Sequence, residues 1–291
     1  IQQRQHHSHG NAVVGTQRRT VSAQAVAVKQ KANGIALKVV HRVVVLFAHH
    51  VGMSLEQQRV YQAALLQKRE RVYDILQNRG ITRGRAEVLS AITELRQICC
   101  HPTLCLPDYQ GVSGKMELLM DVLPAALQSG KRALIFSQFT SMLRLIEKRL
   151  QQENIPSLYL DGETPPQERV KLTQQFNEGS CNVFLISLKA GGTGLNLTGA
   201  DLVIHYDPWW NPTTEEQATS RAHRIGQTRK VEVIRLVMHH SIEEQVLSMS
   251  DRKRRLFDKL ITPGEEMPTK LSDKDILSLF DGDRKTVYNG L

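Results

Sequence analysis

Residues 1–50 carry no clear hydrophobic period; they are polar and basic, then turn Val-rich from Val39 to Phe47 with few turn signals, which predicts a solvated or irregular extension. The texture changes at Glu56. Leu55, Val60, Leu65, Leu66, Val72, Ile75 and Leu76 recur at mostly helical spacing among Gln, Arg and Glu until Gly80. A second helix is predicted over 85–99, with Val88, Leu89, Ile92, Leu95 and Ile98 on one face, and it stops before His101-Pro102. After a polar linker at 107–113, a third helix is predicted over 114–128, bent at Pro124.

From Lys131 strand-type and helix-type runs alternate. Strands are predicted at 132–137, 157–160, 182–187, 201–206 and 231–237. Between them lie helices, one beginning near Phe139 with Met142, Leu143, Ile146 and Leu150 on one face, one over 166–177 and one over 214–224. A long charged helix is predicted from Ile242 to about Leu260. Strands that read as near-continuous apolar runs, each followed by a helix, predict an α/β fold: a parallel sheet with helices on both faces. Ligands in such folds bind at the carboxyl ends of the strands, so the informative loops follow Ser137, Leu160, Ser187 and Tyr206.

Composition narrows the reading. With 291 residues, 41% of them hydrophobic, the chain can bury a core, and no apolar run approaches the roughly 18 residues of a membrane span. No secretory signal is visible at Ile1, and the sequence reads as a fragment of a soluble protein. The net charge is +9, but residues 1–55 hold seven bases and no acid, so Glu56 onward is only +2. Any claim of polyanion binding must therefore rest on local sites. Cys99, Cys100, His101 and Cys105 lack the second ligand pair of a structural zinc site and read as packed thiols. The His6-His7-Ser8-His9 and His49-His50 clusters have no acidic or thiolate partner nearby in sequence, so no metal site is assigned.

Chemistry concentrates in the loops. Ser187 to Leu197 contains Lys189, Gly191, Gly192, Thr193, Gly194 and Asn196, a stretch whose glycines let backbone N–H groups approach a phosphate, although a generic strand-to-helix turn fits equally well. On a helix, Gln217, Arg221 and Arg224 fall at i, i+4 and i+7 and point the same way. Two guanidiniums on one face suit a phosphate, and a solvated face paired with Glu215 and Glu216 is the competing reading. Both tryptophans, Trp209 and Trp210, lie in Asp207-Pro208-Trp209-Trp210-Asn211-Pro212. Neighbours on an extended segment point opposite ways, so one ring packs inward while the other faces a partner.

These segments, in order, resemble a known family. Phe136 to Thr140, Asp161-Gly162, Ala190 to Asp201, Asp207 to Pro212 and Gln217 to Gln227 are similar to helicase motifs IV to VI in the form found in Swi/Snf-type ATP-dependent double-stranded DNA translocases, with His223-Arg224-Ile225-Gly226-Gln227 most characteristic. Leu95 to Pro102 and Gln57 to Tyr61 resemble the helical stretch before the second lobe, and the similarity spans about 53–280. The resemblance implies a RecA-like lobe that, with a first lobe, clamps one ATP and lies against duplex DNA. It implies that Arg221 and Arg224 are arginine fingers, with Gln217 beside them. Gly192, Gly194 and Asn196 match the loop coupling nucleotide to DNA; Ser137, Gln138, Asp161, Gly162, Ser187 and Lys189 match positions along the tracked DNA backbone. Trp209 and Trp210 match a motif coupling the two, and the helix from Ile242 matches a brace across the lobes.

The departures are equally specific. No Walker A loop and no Asp-Glu-x-His box occurs, so the groups expected to hold Mg²⁺ and position water belong to the N-terminal RecA-like lobe, and this chain alone is expected not to hydrolyse ATP. The expected organisation is an irregular basic extension over 1–52, disordered or mis-joined, a helical region over 53–112, the lobe over 113–240, and a brace helix with tail over 241–291. The alternatives are a non-catalytic DNA- or partner-binding module with this fold and a strand-separating helicase. The expected partners are double-stranded DNA, the first lobe and a protein target on DNA, with no membrane. The compact helices after Gln57 look bacterial, which implies a cytoplasmic, nucleoid-associated protein; a eukaryotic chain would be nuclear.

Overall fold

The computed structural model describes residues 44–191, 194–209, 212–222, 229–249 and 273–280. The first helical layer begins where Ser54 caps α1 (Leu55–Asn78), its hydroxyl accepting from the Gln57 N–H. Helix α2 (Gly80–Cys100) returns antiparallel to α1, tied by ion pairs Lys68–Glu94 and Arg71–Glu87. The buried Gln57 amide then joins three elements: it donates to Ile98 O at 2.9 Å and accepts from the N–H of Gly114, the first residue of α3 (Gly114–Gln128), at 3.1 Å. A Cβ on Gly114 would stand 2.0 Å from Gly52 O, so this close approach admits only glycine. Helix α3 runs through Pro124 to Gln128.

The sheet then alternates with helices: β2 (Ala133–Ser137), α4 (Thr140–Gln152), β3 (Leu158–Leu160), α5 (Pro166–Glu178), β4 (Val183–Ser187), the short α6 (Leu188–Gly191), β5 (Leu202–His205), α7 (Pro212–Thr219) and β6 (Val231–Met238). Helix α8 covers 242–249, and α9 (Asp273–Phe280) packs on α1. With β1 (Val44–Val51), six parallel strands lie in the order β1-β6-β5-β2-β4-β3. Alternate residues of each strand face opposite layers. Ala133, Ile135, Val183 and Leu185 pack with α1 to α4, whereas Leu134, Phe136, Phe184 and Ile186 pack with α5, α7 and Leu195–Leu197. Both faces are covered, which is why β2, β4 and β5 are buried along their whole length and apolar up to their last residues, Ser137, Ser187 and His205.

Two expectations are corrected. Residues 44–51, read as the end of an irregular extension, form the edge strand β1, paired with β6 from Val44↔Val231 to Val51↔Met238. Their apolar run lacks alternation and turn signals; a distant strand that needs an edge partner makes it a strand. The helix expected over 214–224 ends at Thr219, and Ser220 to Ala222 form a turn. The expected C-terminal helix is described over 242–249, and its continuation to Leu260 lies outside the described residues.

Strands β2 and β5 are neighbours, yet the chain leaving β2 enters α4 on one face and the chain leaving β5 enters α7 on the other. Loops that part in this way open a crevice at the carboxyl ends of the two strands.

Candidate functional site

The crevice between β2 and β5 is bridged from outside the sheet by Arg96 of α2. Its guanidinium is 3% exposed; Nη1 donates to Gln138 Oε1 at 2.9 Å, Nη2 donates to Pro208 O, and Nη2 stands 3.7 Å from Asp207 Oδ2. The same group lies 5.7 Å from the Phe139 ring centroid and 5.8 Å from that of Trp209. The loops after β2 and β5 are also joined directly, since the buried Ser137 hydroxyl donates to Asp207 Oδ1 and the Gln138 N–H points at the same carboxylate. Burial pushes the Asp207 carboxyl up from its ordinary range, against the pull of Arg96 and Ser137. Gln138 Nε2 is buried without a hydrogen-bond acceptor in the described residues.

Trp209 is held from below. Its backbone N–H donates to Glu215 Oε1 at 2.7 Å, and buried Glu215 is paired with Arg235 of β6. Glu215, one of the two acids of the solvated-face reading, is thus engaged by Arg235 within the lobe. Trp210 lies outside the described residues, so the inward–outward expectation for the two rings stands only as half-buried Trp209 against Arg96.

The glycine-bearing loop after β4 meets the turn after α7. The Leu197 N–H donates to Arg221 O at 3.0 Å, while buried Leu195 and Leu197 anchor the loop in the second core. Between these anchors Asn196 is exposed, and its carbonyl accepts from Asn177 Nδ2 at 2.7 Å. Gly194 is exposed with φ +63, a conformation suited to glycine, and nothing crowds its Cα. Lys189 is exposed on α6, and Ser187 is buried. Gln217 is exposed on α7, whereas Arg221 is 8% exposed on the following turn, closed by its own N–H to Ala218 O at 3.1 Å. The one-face helical geometry therefore does not hold between Gln217 and Arg221. Gly192 and Arg224 lie outside the described residues.

The loop after β3 is a compact Asx turn. Asp161 Oδ1 accepts from the Glu163 N–H at 3.0 Å, and Oδ2 accepts from Tyr159 Oη at 2.9 Å. Burial works to raise the Asp161 carboxyl, but these hydrogen bonds outweigh it and hold it below its usual range. Arg169 of α5 donates to the carbonyls of Asp161, Gly162 and Thr164 at 3.1, 2.9 and 2.7 Å, so exposed Gly162 is presented on a braced loop. The loops after β2, β3, β4 and β5 leave from one edge, where Arg96 and Asp207 interlock those after β2 and β5. The Leu197–Arg221 bond lies towards the other end of the sheet, where the Asp201 N–H donates to Arg132 O ahead of β2. The sequence reading missed Arg96 as a site residue; its signal was its place in Leu95 to Pro102, a stretch assigned only to the helical approach.

Residues 114–226 match the helicase conserved C-terminal domain. The chain is 37% identical over 236 residues to a putative ATP-dependent helicase/translocase of Bacillus subtilis, YwqA, covering 79% of this chain and 25% of that protein. It is 39% identical over 206 residues to helicase swr1 of Schizosaccharomyces pombe, covering 69% of this chain and 16% of that one. The chain thus spans a quarter or less of these curated relatives. Among solved structures it is similar to the Sulfolobus solfataricus SWI2/SNF2 ATPase C-terminal domain, at 30% identity and TM-score 0.65 over 83% of this chain and all of that one. It is also similar to the SWI2/SNF2 ATPase core of the same organism solved in complex with double-stranded DNA, at 31% identity and TM-score 0.67 over 82% of this chain and 50% of that one. Sheet, loop edge and matches define a RecA-like helicase C-terminal lobe. The chain belongs to the Swi/Snf family and carries that lobe.

Proposed function

We propose that this chain is the second motor lobe of an ATP-dependent double-stranded DNA translocase that remodels protein–DNA complexes, working with an N-terminal RecA-like lobe. The observation that carries the reading is the hydrogen bond from Leu197 N–H to Arg221 O, which joins the glycine-bearing loop and the arginine turn into one unit. In this reading Arg221 and Arg224 neutralise charge on the transferring phosphoryl group, a role worth about 10³–10⁵ in rate for arginine fingers. Gly192, Gly194 and Asn196 follow the nucleotide, and Gln217 stands beside the fingers. Gly162 and Lys189 face the DNA backbone through main-chain and ammonium donors, which suit phosphates and read no bases. Ser137, Gln138, Ser187 and Asp161, whose polar groups are buried or engaged within the lobe, serve by shaping these loops. Trp209, against Arg96, couples the two sites, with Trp210 beside it in sequence.

ATP supplies the phosphoryl group whose transfer drives the motor. Mg²⁺ does not fit this edge: the carboxylates of Asp207 and Asp161 are already met by Ser137, Arg96, Tyr159 and backbone N–H groups. It belongs with the first lobe. Phosphate release measured with duplex DNA tests the proposal. The chain alone should show none; mixing it with a separately expressed first lobe should give DNA-stimulated hydrolysis, and Arg224→Ala should reduce that hydrolysis by about 10³-fold or more. DNA binding without hydrolysis in the mixture would establish a docking module instead. Efficient strand displacement would establish an unwinding helicase.

A further inference from the structure

Away from the loop edge of β2 to β5, three metal-ligating side chains meet beside the first two strands of the sheet. His50 is near the end of β1, His239 follows β6 directly, and Glu244 lies in the first turn of α8. The Nδ1 atoms of His50 and His239 stand 2.8 and 2.6 Å from one carboxylate oxygen, Glu244 Oε1, and the ligand atoms all lie within 4.8 Å of one another. The fold assembles this set from segments far apart in sequence. Parallel pairing puts Val51 opposite Met238, and the His239 N–H continues the ladder to Val51 O at 2.8 Å. His240, with φ +52, turns the chain into α8 and donates its N–H to Glu244 Oε2 at 3.0 Å. One carboxylate oxygen is thus fixed by the backbone while the other is presented to two imidazoles.

We propose that His50, His239 and Glu244 bind a borderline divalent transition cation of the zinc class, which clips the edge strand β1 to β6 and α8. The present distances are those of hydrogen bonds. Around a tetrahedral ion at about 2.0–2.1 Å from each ligand the same atoms stand roughly 3.3 Å apart, so the two contacts to Oε1 lengthen by roughly half an ångström or slightly more and the two nitrogens draw together, shifts of about 1 Å that side-chain rotation supplies. Two imidazole nitrogens and one carboxylate oxygen suit Zn²⁺, Ni²⁺ or Cu²⁺, whereas Mg²⁺ and Ca²⁺ take oxygen ligands. The side chains are 42%, 49% and 23% exposed for His50, His239 and Glu244, which leaves coordination positions to water, as in an open rather than a closed site. The His240 N–H supplies the outer hydrogen bond that orients a ligating carboxylate. Helix capping alone explains only the Oε2 contact; it gives no reason for two imidazoles to share Oε1.

The test uses the full chain with His6, His7 and His9 changed to Gln, which removes the competing N-terminal cluster, stripped with chelator and titrated with ZnCl₂ by calorimetry and with CoCl₂ by absorbance. One Zn²⁺ per chain, visible Co²⁺ bands and a melting temperature that rises with added Zn²⁺ are expected. His50→Gln and His239→Gln should each weaken binding by at least about tenfold, while the metal-free melting temperatures stay near that of the parent. His49→Gln, on the opposite side of the same strand, should leave the affinity unaltered. Absence of saturable binding, or binding that survives His50→Gln, overturns the site.

Discussion

At the scale of single residues, Arg96 is the group on which the ligand edge depends. It is buried, and it touches the loop after β2 through Gln138, the loop after β5 through Pro208 and Asp207, and two aromatic rings. A planar guanidinium, with its donors spread over a fixed fork, can serve these directions together and stack between the rings; a compact ammonium at the end of a shorter reach cannot span them all. Arg96→Lys is therefore expected to cost about 1–3 kcal/mol, as hydrogen bonds to charged groups are lost. Arg96→Met is expected to cost about 3–5 kcal/mol, because the Asp207 carboxylate loses its buried counter-charge. Denaturant unfolding measures both, and combining Arg96→Met with Asp207→Asn should recover part of the loss. If Arg96→Met unfolds at the parent midpoint, the guanidinium does not hold the two loops together.

At the scale of elements, the buried polar ties of α8 to the lobe are an ion pair and a hydroxyl. Lys115 in the first turn of α3 is fully buried; its Nζ lies 2.6 Å from Glu243 Oε2 of α8 and donates to Tyr206 O at 2.9 Å. Glu243 also accepts from the Met238 N–H at 2.8 Å, and the Ile242 N–H donates to Tyr61 Oη at 2.7 Å. Breaking such a pair strands a charge, so Lys115→Met is expected to destabilise by about 3–5 kcal/mol, and the Lys115→Met/Glu243→Met double variant by less than either single one. Additive effects in a double-mutant cycle would show that the two charges are not coupled. Elements of this lobe differ in how far they can be read from sequence for the same reason. Helix α4 shows its buried face, Met142, Leu143, Ile146 and Leu150, as a local period, and β2, β4 and β5 show both covered faces as unbroken apolar runs. Strand β1 owes its state to β6, some 190 residues away, and no local pattern records that. The Gly and Arg loops were legible as residue types in order. Their contact through Leu197 and Arg221, the early end of α7 and the reach of Arg96 across the crevice are tertiary facts with no spacing signature.

At the scale of the whole molecule, acid stability has a source in the middle of the sheet. His205 ends β5, fully buried; its ring stacks near Phe136 with centroids 5.6 Å apart, and Nε2 lies 3.0 Å from Thr219 Oγ1. Burial, with the Arg235 charge adding to it, lowers its pKa from 6.5 to about 3. Below pH 6.5 the unfolded chain takes up a proton that the folded chain refuses. The stability is therefore fully present above that pH and is lost as pH falls towards 3, by at most about 1.4 kcal/mol per pH unit from this one group. Buried Asp207 and Glu243, whose carboxyls burial pushes up, work in the opposite sense, because the folded state holds their protons more readily than the unfolded chain does. The net pH profile thus mixes signs, and comparison with a variant isolates the imidazole. His205→Gln keeps a polar atom near Thr219 and removes the titration. It should be less stable than the parent at pH 7.5, having lost the stacking on Phe136. Its unfolding free energy should then fall less steeply than the parent's between pH 6.5 and 4.5, so that the two denaturation curves converge on acidification. Parallel curves across that window would show that the imidazole is protonated within the fold and that acid lability arises elsewhere.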